Sequence, residues 1–252
     1  MKTGSMPTSP DLARTDVQDF AKRLRAEMIP LSARLSYFST VPLGDDDARE
    51  YLHEPVAALP PGLRAELPAI SILFVPYLEK GAAGREKVVF DAPTDKARIW
   101  STRFTLSGDA VLVFAIKDQQ VAEYHYLFYR ALAAVAADRL APERIAGFNE
   151  LLREELRGRV HGELDEEGWK LKQSLFERQS DVRRDTKLFR RYARQSLIDS
   201  LTLYLHGICC DIDVETGPRQ LPSRHLRRRL ELFHEIFPPP DGYVVFPEEV
   251  KT

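Results

Sequence analysis

Alternating apolar and polar residues predict β-strands in the first half of the chain. Residues 97–106 alternate in this way, as a half-buried strand does. A short turn at 107–109 leads into the apolar run AVLVFAI, so these two segments predict a β-hairpin. Two further candidate strands precede the hairpin, at 69–77 and 86–91. Together they predict three or four mostly antiparallel strands in a sheet region of about 69–117.

The second half of the chain has the spacing of amphipathic helices. From Gln119 to about residue 237, apolar residues recur at intervals of three and four. Four residues in this region are well suited to begin helices, namely Pro142, Asp165, Asp181 and Ser223. An earlier helix is predicted from Asp11 to about Tyr37, ended or kinked by Pro30. The predicted fold class is α+β: a flexible tail at 1–10, then one domain of residues 11–252 in which helices pack on the small sheet.

Composition narrows the classes of protein to consider. Hydrophobic residues make up 44% of the 252, and the net charge of -2 gives no overall attraction to nucleic acid or to an anionic membrane. No apolar run approaches the roughly 18 residues that span a bilayer, and the N-terminal residues lack the apolar core of a secretion signal. The two cysteines are adjacent, which is not the pattern of a disulfide scaffold. We expect a soluble cytoplasmic protein with no membrane partner.

A basic stripe marks the long helix predicted after Asp181. Six cations and one acid occur within residues 183–194, which creates a strong local field in a nearly neutral chain. Arginine side chains are well shaped to bind phosphates and carboxylates. The leading hypothesis is therefore a non-enzymatic interaction or regulatory protein that binds an acidic protein or a phosphate-bearing ligand. Its predicted binding residues are Arg183, Lys187, Arg190, Arg191 and Arg194.

Other interpretations of the basic stripe stay open. A solvated helix face, paired with acids elsewhere such as the run at 45–47, explains the same charges. A nucleic-acid partner has no support from a motif or from interleaved aromatic residues. The spacing of apolar residues also does not tell whether a helix face packs in the core or against a second copy of the chain. Association of the helices into a homo-oligomer is therefore a further alternative.

His125 is the centre of a second hypothesis. It lies on the apolar face of a predicted helix that directly follows a strand. This order of elements resembles zincin metallopeptidases, in which a helix with the motif H-E-x-x-H holds zinc against a small sheet. The resemblance implies a metal-dependent hydrolase with zinc as cofactor and His125 as a ligand. The sequence departs from the motif, because Tyr126 stands at the position of the general base and Tyr129 at that of the second ligand.

The other residues of the hydrolase hypothesis come from outside that helix motif. His161 and Glu163 lie in a short connection, where they would complete the ligand set of the metal. Glu123 or Glu163 would act as the general base. Simpler explanations compete with these roles, since His125 also suits a hydrogen-bonded position in the core and acids near a helix start interact favourably with its dipole.

The segment LHGICCDID offers a third set of candidate residues. His206, Cys209 and Cys210 are soft ligands, and Asp211 and Asp213 follow them. Side chains of adjacent cysteines are expected to point apart, which argues against a shared metal ion. The cysteines are therefore interpreted as small apolar residues at the end of a core helix, with a redox-active pair as the alternative. The sequence contains no nucleophile elbow, no Walker-type loop and no dinucleotide-binding glycine motif.

Overall fold

The computed structural model describes residues 14–81, 84–178, 184–210 and 219–246. The chain divides into two compact units. The first contains the residues up to Ala48 together with Pro68–Tyr124, and the second contains Arg49–Leu67 and the residues from His125 onward. The described strands belong to the first unit and most of the long helices to the second, which confirms the α+β class. The predicted separation into two halves is loose, because Arg49–Leu67 folds with the later helices.

Nine strands form two sheets in the described part of the first unit. In chain order they are β1 (Arg14–Asp16), β2 (Ile29–Pro30), β3 (Leu35–Ser39), β4 (Ile70–Val75), β5 (Tyr77–Lys80), β6 (Glu86–Val89), β7 (Arg98–Ile99), β8 (Ser101–Leu106) and β9 (Asp109–Ala115). One sheet is antiparallel, in the order β1-β6-β5-β7. The other is mixed, in the order β2-β3-β4-β9-β8, with β3, β4 and β9 parallel. The structure thus has more strands than the three or four predicted.

The predicted hairpin is present as β8 and β9. Ser107 and Gly108 connect the two strands and both have positive φ, 54° and 93°, as the tight two-residue turns of hairpins require. Strands β4 and β9 are buried along nearly their whole length. On one face, residues such as Leu73 and Val113 pack in a cluster with Phe20. On the other, the rings of Phe74 and Phe114 lie 5.4 and 5.1 Å from that of Tyr124.

Two sequence predictions in the first unit are corrected by the structure. The run at 69–77 is not one strand, because Pro76 separates β4 from β5, which then pair in different sheets. Proline has no N–H group to continue the hydrogen-bonded ladder. The predicted helix from Asp11 to about Tyr37 spans only Val17–Leu24 and is followed by β2 and β3. The buried Leu35 begins β3 and pairs with Ile70, so strand pairing overrides the helical spacing there.

Nine α-helices lie in the described residues. They are α1 (Val17–Leu24), α2 (Asp45–Ala48), α3 (Glu54–Ala57), α4 (Pro61–Glu66), α5 (Val121–Ala137), α6 (Ala146–Arg157), α7 (Glu166–Glu177), α8 (Lys187–Cys209) and α9 (Ser223–Ile236). A short π-helical segment, Arg49–His53, precedes α3. The helices of the second unit bury an aromatic cluster in which the Phe233 ring lies 5.1 Å from Phe148 and 6.0 Å from Tyr204.

The predicted helix starts have mixed outcomes. Asp165 caps α7 as predicted, since its carboxylate accepts hydrogen bonds from the backbone N–H groups of Glu167 and Gly168. The helix expected at Pro142 begins only at Ala146, and α9 begins at Ser223 without a side-chain cap. Asp181 lies outside the described residues, and Thr186 caps α8. Within the described ranges, no helix combines the length and apolar character that a membrane span needs.

Candidate functional site

A groove between α7 and α8 gathers four cations on the surface of the second unit. It encloses about 560 Å³. Its lining residues are Glu167, Lys170, Leu171, Ser174, Arg178, Lys187, Leu188 and Arg191. Lys187 and Arg191 lie one turn apart on α8, and Lys170 and Arg178 lie on α7 and directly after it, so all four cations line the same groove. We call these eight residues the basic groove.

The cations of the basic groove are largely uncompensated. Lys170 forms an ion pair of 2.8 Å with Glu166, one turn earlier on α7. Arg178, Lys187 and Arg191 are exposed, and none has an ion-pair partner among the described residues. Glu167 is the one acid in the lining. The groove therefore presents net positive charge over an apolar floor that includes the buried Leu171.

The structure separates the predicted basic stripe into two rows. Lys187 and Arg191, four residues apart, line the groove, whereas Arg190 is exposed but is not part of its lining. Arg194 forms an ion pair with Asp138, with Nη2 2.6 Å from Oδ1. Arg194 lies nearly two turns beyond Lys187 on a similar side of α8, so it is its ion pair with Asp138, and not helical phase, that sets it apart from the groove. Arg183 lies outside the described residues.

Sequence reasoning missed two cations of the groove, Lys170 and Arg178. The sequence did hold a sign of them. Lys170, Ser174 and Arg178 follow one another at intervals of four residues, and a short connection separates them from the basic stripe. Neighbouring helices joined by a short loop usually pack side by side, so their basic rows would have been expected to meet.

Glu163 is part of a buried ionic network. Its carboxylate accepts hydrogen bonds from both terminal nitrogens of Arg229 at 2.9 Å, from Lys172 Nζ at 3.1 Å and from the Tyr192 hydroxyl at 2.5 Å. Arg229 also binds Glu155, with Nη2 2.5 Å from Oε2. Although burial opposes ionisation, Arg229, Lys172 and Tyr192 together outweigh it and lower the pKa of Glu163 to about 2. The hydrolase hypothesis makes this carboxylate a metal ligand or the general base, but its oxygens already accept these hydrogen bonds.

The other residues of the hydrolase hypothesis are also separate from His125. His161 is exposed, and so is Glu123 on the first turn of α5. In the described residues, the one group of three ligand side chains close enough to share a metal ion consists of His125, Cys209 and Cys210. The ligands predicted for His125, namely His161 and Glu163, are therefore not brought to it, and two cysteines are brought instead. Asp211 and Asp213 lie outside the described residues.

His125 is buried, with 6% of its surface exposed, and both of its ring nitrogens form hydrogen bonds. Nε2 lies 2.8 Å from the Glu50 carbonyl oxygen, and Nδ1 lies 3.3 Å from Cys210 Sγ. A hydrogen bond with Cys210 and another with Tyr129 lower the pKa of the Cys209 thiol to about 6, despite its partial burial. The nitrogen and both sulfurs lie within 4.8 Å of one another. We call these three residues the histidine–cysteine cluster.

The adjacent cysteines do not diverge as expected, because α8 ends between them. Cys209 is the last helical residue, and Cys210 has extended backbone, with φ -138° and ψ 149°. The change of backbone conformation turns the second side chain back toward the first. No local spacing in the sequence could reveal the cluster, since His125 and Cys210 are 85 residues apart in the chain.

A second buried acid, Asp199, lies within α8. Its carboxylate accepts hydrogen bonds from Arg130 Nη1 at 3.1 Å and from Gln195 Nε2 at 2.9 Å. Arg130 also contacts Asp165, with Nη2 3.3 Å from Oδ2. Burial and the neighbouring Asp165 charge together outweigh Arg130 and raise the pKa of Asp199 to about 7.

Comparisons with protein families, with characterised proteins and with solved structures find no match to this chain. Two features of the second unit carry chemical character of their own, namely the basic groove and the histidine–cysteine cluster. The two features share no residue, and one gathers cations whereas the other gathers an imidazole and two thiols.

Proposed function

We propose that this chain is a non-enzymatic cytoplasmic protein that binds a phosphate-bearing ligand in the basic groove. The observation that carries the proposal is the convergence of Lys170, Arg178, Lys187 and Arg191 on one groove, three of them without an ion-pair partner in the described residues. Like charges held together without counter-charges repel one another, so an anionic ligand would relieve that repulsion.

The size and chemistry of the groove favour a phosphate group over a single carboxylate. Its volume of about 560 Å³ lies within the range of roughly 300 to 1,000 Å³ that small-molecule sites occupy. Arg178 and Arg191 supply planar guanidinium groups that match phosphate oxygens two at a time. Ser174 adds a hydroxyl donor to the lining.

The hydrolase alternative has less support. Glu163 already neutralises Arg229 and Lys172 inside the second unit. Removing it to hold a metal ion would leave Lys172 without its buried ion-pair partner and Arg229 with Glu155 alone. His161 and Glu123 are exposed and are not among the residues grouped around His125. The basic groove requires no such rearrangement.

Calorimetric titration with inorganic tripolyphosphate tests the proposal. The double variant Lys187→Ala/Arg191→Ala is expected to bind at least about tenfold more weakly, because it loses two charged hydrogen-bond donors. Arg227→Ala/Arg228→Ala is the matched control, since it removes the same charge from α9, where each arginine is paired with a glutamate. The control is expected to bind within about twofold of the unaltered chain, because screening limits the reach of exposed charges to about 8 Å.

Two results would count against this function. Equal weakening in both double variants would indicate non-specific attraction to overall charge. If tripolyphosphate shows no binding while an oligoglutamate peptide binds and depends on Lys187 and Arg191, the ligand is an acidic protein segment and not a phosphate. In either case affinity should fall as salt rises from about 50 to about 200 mM, since the contacts are between exposed charges.

A further inference from the structure

The histidine–cysteine cluster has the composition of a metal site, and the basic groove does not account for it. Two thiols and an imidazole lie together in the second unit, all within 4.8 Å of one another. We propose that His125, Cys209 and Cys210 bind one zinc ion, with a fourth coordination position that no described residue fills. This site is independent of the proposed phosphate groove and shares no residue with it.

The hydrogen bond of His125 to Glu50 orients the imidazole for metal binding. A carbonyl oxygen only accepts, so at 2.8 Å from the Glu50 oxygen the Nε2 atom carries the proton. In the neutral ring this leaves the lone pair on Nδ1, which faces Cys210 Sγ at 3.3 Å. Metal-bound histidines characteristically donate their other N–H to a carbonyl or carboxylate, which fixes both tautomer and ring orientation. The Glu50 carbonyl has this role in the proposed site.

The separations of the three ligand atoms fit a tetrahedral ion. Zinc binds nitrogen at about 2.0 to 2.1 Å and sulfur at about 2.3 Å, so its ligands lie roughly 3.5 to 3.8 Å apart. The observed 3.3 Å between Nδ1 and Cys210 Sγ is close to that value, and no pair in the group exceeds 4.8 Å. Shifts of about an ångström, which side-chain rotation supplies, would bring all three atoms to bonding distance.

The ligand types select zinc over the hard cations. Thiolate and imidazole prefer zinc and other soft or borderline ions, whereas magnesium and calcium take oxygen ligands. Among the residues that the structure describes, no carboxylate belongs to the group. Two cysteines and one histidine, with one position free, form the coordination class found where zinc binds an exchangeable fourth ligand. Both cysteines are half-buried, which leaves a path from solvent to the ion.

Competition with a chromophoric zinc chelator, under reducing conditions, tests the site in the full chain. We expect one zinc ion per chain, and substitution by cobalt should give the thiolate-to-metal charge-transfer absorption of a sulfur-ligated tetrahedral site. Cys209→Ser and Cys210→Ser are each expected to weaken binding by more than the roughly 10- to 100-fold typical of losing a residue that only orients a ligand. His125→Gln should do the same.

His161→Ala is the matched control, because it removes an exposed histidine that the hydrolase hypothesis would assign to the metal. It should retain the zinc affinity of the unaltered chain. Because His125 is buried, the two serine variants keep the test informative if His125→Gln fails to fold. The proposal is overturned if the folded, reduced chain binds no zinc. Equal zinc affinity in Cys209→Ser, Cys210→Ser and the unaltered chain would overturn it as well.

Discussion

Replacing Arg229 by methionine is expected to lower the free energy of unfolding by about 3 to 5 kcal/mol. Arg229 is fully buried, and its guanidinium binds the carboxylates of Glu155 and Glu163. Methionine fills similar space but leaves two buried carboxylates to share Lys172 as their remaining buried cation. An uncompensated buried charge costs much more than an exposed one, which is the source of the large effect.

Urea denaturation followed by circular dichroism measures this loss. Arg227→Met is the matched control, since Arg227 is two residues away on α9 and forms an exposed pair with Glu231. It is expected to cost less than about 1 kcal/mol. Adding Glu155→Met to Arg229→Met should recover part of the loss, because Glu163 then keeps Lys172 as its partner. Similar losses for the Arg227 and Arg229 variants would contradict the role given to the buried network.

Replacing Asp199 by asparagine is expected to make stability less dependent on pH. The pKa of Asp199 rises from its ordinary 3.8 to about 7 in the folded chain, mainly through burial and then through the charge of Asp165. The folded state therefore binds more protons than the unfolded state between these values. The stability that this group contributes is complete below its unfolded pKa and is lost as pH rises through about 7.

The measurement is the difference in unfolding free energy between the unaltered chain and Asp199→Asn across a series of pH values. Relative to the variant, the unaltered chain should lose about 2 to 3 kcal/mol between about pH 5 and about pH 8. Taking the difference cancels the titration of groups that both chains share, such as Glu163. Asp165→Asn keeps a good helix cap but removes the nearby charge, so it should reduce the same loss. A constant difference across this range would rule out the raised pKa.

The parts of the fold that local chemistry determines were predictable from the sequence. The β8–β9 hairpin follows from an alternating run and an apolar run on either side of a short turn, and the cap at Asp165 follows from its carboxylate. The predictions that were wrong concern segments whose structure depends on residues far away in the sequence. Pairing of Leu35 with Ile70 makes a strand of a segment with helical spacing, and Pro76 divides one apolar run between two sheets.

The candidate site shows the same limit. The basic character of α8 was evident from its sequence, but the groove also depends on Lys170 of α7 and on Arg178, which follows the last residue of α7. His125 was singled out because of its apolar surroundings, yet its neighbours Cys209 and Cys210 come from the far end of α8. Their approach depends on tertiary packing and on where α8 ends, neither of which residue spacing encodes.

The affinities of Arg191→Ala and Arg190→Ala for tripolyphosphate give the sharpest test of the basic groove. The two arginines are adjacent on α8, both are exposed and both substitutions remove one positive charge, but only Arg191 lines the groove. If the groove is the binding site, Arg191→Ala should weaken binding several-fold or more and Arg190→Ala should leave it nearly unchanged. Equal losses, or a larger loss for Arg190→Ala, would mean that the ligand binds elsewhere on the basic helix.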